Sequence, residues 1–436
     1  MLLILFVSVV LGFAFFRMTP EERARVLQAV IGAIRQLQAA ATTAATRSRS
    51  ACEPFRDALR ARTPWAVVTP ALVALNAMLF VAMLFGAGAL GDPATLIGWG
   101  ASFGPRTTNG EWWRLVTSMF VQPGLLHLLV NVAGLVQIGL ILERLVGRFT
   151  FTVVYLTAGV FASLVSLSIF PMAVSAGASG AIFGLYGLLL ASSVWGLIHR
   201  SSVTIPLAAV KSLAPAAVVF ILYNLMDDAI GSAAELTGLV AGIVCGLVVA
   251  RGVSVSKPSA RRVGATMAAA AAIAVAFAFV MRGVTDVRPE IGRVVALEDR
   301  TAAAYRAAVE RFRNGRITAV GLAEMIDHTI VPELHAADSR LKALDRVPHE
   351  QQPLVAAAED YFRLRFESWR LRAEGLRRTD PLTPRADPKR EPVSSESWRL
   401  RAEAQHRASM LTLGKAEGIE RESLEALHRI GPADPK

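Results

Sequence analysis

The chain predicts an all-α polytopic membrane protein with a helical domain outside the bilayer, and three observations carry that prediction. Apolar runs of about 16 to 25 residues recur along the first two thirds, close to the ~20 that cross a bilayer as helix. Basic residues gather in alternate connections between those runs. From residue 284 onward the composition turns charged while the apolar positions keep a helical pattern. Of the 436 residues, 53% are hydrophobic and 19% charged, a balance foreign to ordinary soluble proteins.

The runs fall at 1–16, 65–90, 124–146, 149–170, 177–197, 212–228, 235–251 and 263–282. The first lacks the basic start and small-residue cleavage site of a signal peptide, so it reads as an uncleaved N-terminal anchor. As helix it reaches only ~24 Å, short of a ~30 Å hydrocarbon core. The 124–146 run carries His127, Asn131, Gln137 and Glu143, too polar for a lipid-facing helix, which places it inside a bundle. Residues 17–64 form a basic, Ala-rich helical linker opened by Thr19-Pro20-Glu21-Glu22.

Net charge is +11 with a pI near 10.3, a profile that nucleic-acid binders share. Topology accounts for it better. Arginines from Arg23 to Arg62 precede the second run, Arg144 and Arg148 flank the next inner connection, and Arg200 and Lys211 the one after. Arg251, Lys257, Arg261 and Arg262 fill the connection before the last run. The positive-inside rule sets all of these in the cytoplasm. Residues 284–436 then lie outside, in a protein of a bacterial inner (cell) membrane, and no nucleic acid is expected as partner. Cys52 and Cys245 fall in the linker and in an apolar run, so neither a disulfide framework nor a zinc site is expected. No metal or cofactor is called for.

The tail 284–436 is broken by pattern at Gly315, Pro332, Pro348 and Pro353, and a loop from Thr379 to Pro392 separates its last two helices. The octapeptide Glu367-Ser368-Trp369-Arg370-Leu371-Arg372-Ala373-Glu374 recurs identically at 396–403. One recurrence makes no solenoid, so a helical hairpin or small bundle is expected, with Trp369 and Trp398 as core anchors and a surface for a protein partner.

The residues with chemical potential lie in the apolar part. Gly177-Ala178-Ser179-Gly180 sets a lone hydroxyl among small residues at the start of a helix, where unpaired N–H groups can face a developing oxyanion. Small residues there serve helix packing equally well. His127 and Asn131, four apart, share a helix face and both can donate hydrogen bonds. Trp113 and Arg114 suit a loop anchored at the membrane interface. Glu143, followed by Gly147, has the character of a carboxylate that ties loops together.

Taken in this order, these elements resemble the rhomboid family of intramembrane serine proteases across about residues 65–251. The resemblance implies a six-helix core plus one extra C-terminal span, here 263–282, around a water-filled cavity open to the outside. It implies transmembrane proteins as substrates or clients within the lipid bilayer, a Ser–His dyad and no cofactor. Carried over residue by residue, Ser179 is the nucleophile, and His127, Asn131 and the Ser179 N–H form the oxyanion hole. Phe183 packs beside the site, while Trp113, Arg114, Glu143, Gly177 and Gly180 are structural.

One position departs from that pattern. The family carries its histidine base on the sixth core helix, in a motif like Ala-His-x-Gly-Gly-x-x-x-Gly. This chain has Ala234-Glu235-Leu236-Thr237-Gly238-Leu239-Val240-Ala241-Gly242, and its seven histidines, at 127, 199, 328, 335, 349, 406 and 428, all lie elsewhere. Gly238, Gly242 and Gly246 follow Glu235 at helical intervals, so it belongs to a small-residue face suited to the Gly180–Gly184 face. Two readings stand. A buried carboxyl tuned toward neutrality can serve as general base. Alternatively, the chain is a non-proteolytic pseudoprotease that captures membrane-protein helices, because a carboxylate is a weaker base than imidazole and must also return a proton to the leaving amine. The chemistry favours impaired or absent proteolysis.

Overall fold

A computed structural model describes residues 53–86, 88–198, 214, 217–224, 226, 229–249, 258–379 and 395–430. The expected anchor at 1–16, most of the linker, parts of the 212–228 span and the 380–392 loop lie outside these residues. Among the described residues the chain is helical without strands, and five helices are long and apolar enough to cross a membrane. The protein is an all-α polytopic membrane protein. It divides into two compact units.

The first unit holds the membrane helices, labelled here α1 (Val68–Phe85), α2 (Leu125–Val146), α3 (Arg148–Ile169), α4 (Ser179–Ile198) and α5 (Ala229–Val249), with most of α6 (Ala260–Val280). Each begins or ends where the sequence breaks the helical pattern. Pro123-Gly124 precedes α2, and Gly147, at φ +88°, ends it and lets Arg148 open α3 at once. Phe170-Pro171 stops α3. The core of this unit centres on α4, whose first half is buried nearly all round, with Leu135, Ile138, Phe151, Ile182 and Leu185 against one another.

Helix α4 packs on α5 by backbone-to-backbone approach. A Cβ at Gly238 would lie 1.9 Å from the Gly180 carbonyl oxygen, and one at Gly242 1.9 Å from that of Gly184. Only glycine fits either position. Such close approach is how helices associate in lipid, where dispersion between backbones replaces a hydrophobic drive.

Glu143 ties α1 to α2. Its carboxylate accepts from the N–H groups of Val67, Val68 and Thr69 at 2.6, 2.9 and 2.7 Å. These are the groups that the first turn of a helix leaves without internal partners, and negative charge there also suits the helix dipole. Next to it, Thr63 donates to the Arg144 carbonyl and Arg148 to that of Trp65.

The second unit comprises residues 102–114, 167–174 and 276–436. Its helices are α7 (Arg288–Arg313), α8 (Ala319–Met325), α9 (Val331–Lys342), α10 (Gln352–Thr379) and α11 (Ser395–Ile430). Their core gathers Val294, Leu322, Leu334, Tyr361, Phe362 and Trp369. Helices α10 and α11 lie antiparallel, with Ser368 bonded to the Ala416 carbonyl and Ser409 to that of Gly375. Within the same unit the 102–114 segment meets the residues that follow α6. Asn109 Nδ2 donates to the Val284 carbonyl at 2.9 Å, and the Val284 N–H donates to Thr108 Oγ1 at 3.2 Å. Arg346 turns its guanidinium onto the Val280 and Arg282 carbonyls.

Several sequence expectations shift. Helix α5 starts at Ala229 instead of 235, because Gly231 and Ser232 interrupt the apolar run without ending the helix. Helix α6 extends back to Ala260 through Arg261 and Arg262, since charge excludes residues from lipid and not from helix. The 65–90 run yields only Val68–Phe85 as helix, closing at Gly86. Pro332 is no break. A π-helical turn, Ile326–Ile330, joins α8 to α9 and takes up the proline in the first turn of α9. Pro353 likewise falls in the first turn of α10, where its missing N–H has no bond to lose. Gly315, at φ +69°, and Pro348 do separate helices.

Candidate active site

Ser179 is the first residue of α4 and is 9% exposed. Two residues before it, Gly177 adopts φ +125°, a conformation that favours glycine, and its N–H donates to the Ser118 carbonyl at 2.9 Å. A Cβ at Gly177 would stand 2.6 Å from His127 Nε2, so the imidazole lies directly against the backbone that leads into Ser179. His127 also meets Tyr223 edge-to-face, ring centroids 6.1 Å apart. Asn131, one turn further along α2, is buried on the same helix face. Phe183 stacks near Phe220 and Tyr186 at centroid distances of 5.2 and 6.4 Å, an aromatic wall one turn beyond the serine.

Glu235 is 3% exposed on α5. The residue before it, Ala234, brings its carbonyl oxygen to 3.4 Å from where a Gly180 Cβ would sit, and Gly238 abuts the Gly180 carbonyl. The turn of α5 that carries Glu235 therefore rests on the residue next to Ser179. Ser179, Gly177, Gly180, His127, Asn131 and the Glu235 turn come together in one part of the membrane unit.

Of the remaining sequence-selected residues, Glu143 lies apart on the same helix, and Trp113 and Arg114 fall in the other unit. Glu143 sits twelve residues beyond Asn131 on α2, or ~18 Å along the axis, capping α1. Trp113 and Arg114 belong to the 102–114 segment of the second unit. There the buried Arg114 guanidinium bonds Glu111 at 2.5 Å and lies 4.6 Å over the half-exposed Trp113 ring. Two residues near the site escaped the sequence reading. Gln122, fully buried, accepts from Asn131 at 3.0 Å and donates to Asn76 at 2.7 Å. The available signal was Asn76, an amide within an apolar run, which must find a polar partner; Gln122 falls just before the next run and carried none.

Comparison with known proteins bears on this assembly. Residues 109–252 match the Rhomboid domain. That stretch holds the GxSG element, the His127–Asn131 pair and α5. The chain is 38% identical over 118 residues to rhomboid protease GluP of Bacillus subtilis, covering 27% of this chain and 23% of that protein. It is 31% identical over 159 residues to rhomboid-like protease 2 of Toxoplasma gondii, 36% of this chain and 54% of the relative. It is also 31% identical over 102 residues to inactive RHOMBOID-like protein 8 of Arabidopsis thaliana, 23% and 29% of the two chains. The matched segments span between about a quarter and a half of these relatives. Together they support the rhomboid family for the membrane unit, with proteins named both protease and inactive among the relatives.

Proposed function

We propose that the chain is a rhomboid-like protein of a bacterial inner (cell) membrane that binds transmembrane segments of other membrane proteins at the Ser179 site, with peptide-bond hydrolysis suppressed. The contact between Gly180 and the Ala234–Gly238 turn carries this reading, because it supports a position for Glu235 close to Ser179, as the resemblance expects of the base. Ser179 supplies the hydroxyl, while His127, Asn131 and the Ser179 N–H receive the oxyanion. A carboxylate base there is poorly matched to serine, and losing a triad-type base costs about 10⁴-fold or more in turnover. The core is residues 65–251, the extra span 263–282, and the helical domain 284–436 is a docking surface for a protein partner.

The burial of Glu235 within an otherwise complete constellation favours a second reading, in which the carboxylate itself acts as general base. Reconstitution in liposomes with a transmembrane reporter separates the two. The first expects reporter binding without cleavage, cleavage on introducing Glu235→His, and its loss on adding Ser179→Ala. Cleavage by the unmodified chain that Ser179→Ala abolishes would establish the second.

An external C-terminal domain is supported by the charge alternation. Bonds from Val284 to Thr108 and Asn109 also support a shared side for the residues after α6 and the first outer loop. Added protease should digest the tail in spheroplasts; full protection would reverse the topology.

A further inference from the structure

Three buried amide side chains run head to tail through the membrane unit. Asn76 Nδ2 donates to the Leu72 carbonyl at 2.8 Å, Gln122 Nε2 to Asn76 Oδ1 at 2.7 Å, and Asn131 Nδ2 to Gln122 Oε1 at 3.0 Å. None of the three is more than 2% exposed. A carboxamide on its own can present either edge to a neighbour. Here the first acceptor is a backbone carbonyl, which can only accept. Asn76 must therefore turn its NH₂ toward Leu72 and its oxygen toward Gln122. Gln122 must then donate to Asn76 and offer its oxygen to Asn131. Asn131 has no choice left but to face Gln122 with nitrogen. Reversing any member would oppose like groups in an apolar interior, where polar groups left unpaired are costly.

The Asn131 nitrogen carries two hydrogens, of which Gln122 takes one. Among the described residues the Asn131 oxygen has no hydrogen-bond partner, and it is turned away from the relay. We propose that Gln122 and Asn76 are positioning residues that hold the Asn131 carboxamide so that its second N–H is available to an oxyanion formed at Ser179. This rests on the reading of Ser179 as nucleophile and Asn131 as oxyanion donor. The direction of the Asn131 amide is thus set from α1, across Gln122, by one main-chain carbonyl.

The test uses the full chain in liposomes carrying Glu235→His, reading the rate at which a fluorophosphonate labels Ser179 and, separately, the dissociation constant for a transmembrane reporter. Removing an oxyanion donor outright slows an acyl-transfer enzyme about 10²- to 10³-fold, so loosening one should slow labelling about 10- to 100-fold. Gln122→Met and Asn76→Leu should each do so with reporter affinity unchanged. Gln122→Glu provides a readout that packing alone would not move. Its protonated carboxyl can accept from Asn131 and donate to Asn76, whereas the ionised form cannot donate. Labelling relative to the Gln122 parent should therefore fall as pH rises through that titration. Unchanged labelling in Gln122→Met, a parallel loss of labelling and binding, or a flat pH profile for Gln122→Glu would each overturn the relay. If Gln122→Met does not fold, the Asn76 and Glu variants decide the matter. Absence of labelling in the Gln122-intact Glu235→His parent would instead overturn the Ser179 reading, and the relay with it.

Discussion

The two units of this chain are both helical yet are held together by opposite means. In the membrane unit, α4 and α5 meet through glycines whose missing side chains let one backbone rest on the other. In the C-terminal unit, α7, α10 and α11 meet through an arginine. Arg365, 1% exposed, grips both oxygens of Glu298 at 2.9 and 2.5 Å and reaches Glu420 at 2.8 Å. Tyr361 adds a 2.7 Å bond to Glu298, and Arg372 a second contact to Glu420. The difference follows from the solvent in which each unit is stable. Lipid offers no hydrophobic gain for burying a leucine between helices, so shape and contact decide. Water allows charges to be carried to an interface and paired there, provided their hydrogen bonds are completed.

Breaking the glycine contact should have the largest effect. Gly238→Leu pushes side-chain atoms into the Gly180 carbonyl, and backbone on both sides cannot yield as a flexible side chain would. The expected outcome is loss of the folded membrane unit, seen as aggregation on size exclusion in detergent. A monodisperse, protease-resistant Gly238→Leu protein would show that the contact is dispensable.

Next in size is Arg365→Ala, which strands the buried Glu298 carboxylate and should cost about 3–5 kcal/mol. Thermal unfolding of the intact chain, read by susceptibility of the C-terminal helices to protease, would report it. Adding Glu298→Leu should restore much of the loss, because no unpaired charge remains. A double variant as unstable as the single would assign the effect to packing.

Acid tests the ion pairs of the C-terminal unit. At Glu420 desolvation raises the pKa, but Arg365 and Arg372 together outweigh it and hold the group below its ordinary value of 4.5. Glu290 is lowered likewise by Arg340 and Arg293 against its own desolvation. Groups depressed in the folded state contribute stability that is full above their unfolded pKa and is lost as pH falls through the folded one. The C-terminal unit should thus weaken progressively below about pH 4.5. Equal protease resistance at pH 6 and pH 3 would contradict this.

The smallest effect belongs to Thr318→Ala, which removes the cap on α8 where Thr318 Oγ1 accepts from the Gly321 N–H at 3.0 Å. About 1 kcal/mol is expected, measurable as a slight shift of the C-terminal transition alone.

What sequence could reveal follows the same divide. Hydropathy located the spans, and residue order pointed to Ser179, His127 and Asn131, since these signals are local. Helix α5 was cut short because Gly231 and Ser232 interrupt its apolar run without ending the helix. Pro332 was misread as a break because a π turn is not visible in side-chain pattern. The Asn76–Gln122–Asn131 relay needed three distant segments to align, which no single window contains. The duplicated octapeptide makes the point most directly. Leu371 is partly buried, while its counterpart Leu400 is 60% exposed, so identical sequence meets different surroundings.

The carboxylate at the far end of α2 has a consequence for how this protein is made. The N–H groups of residues 67–69 receive their acceptor from Glu143, which is separated from them in sequence by as many as 76 positions. A nascent α1 emerging alone would have only interfacial water and headgroups as acceptors for these donors. Helix α1 gains its protein acceptor only once the end of α2 has been synthesised. The cap that joins the two spans is complete only when Glu143 arrives.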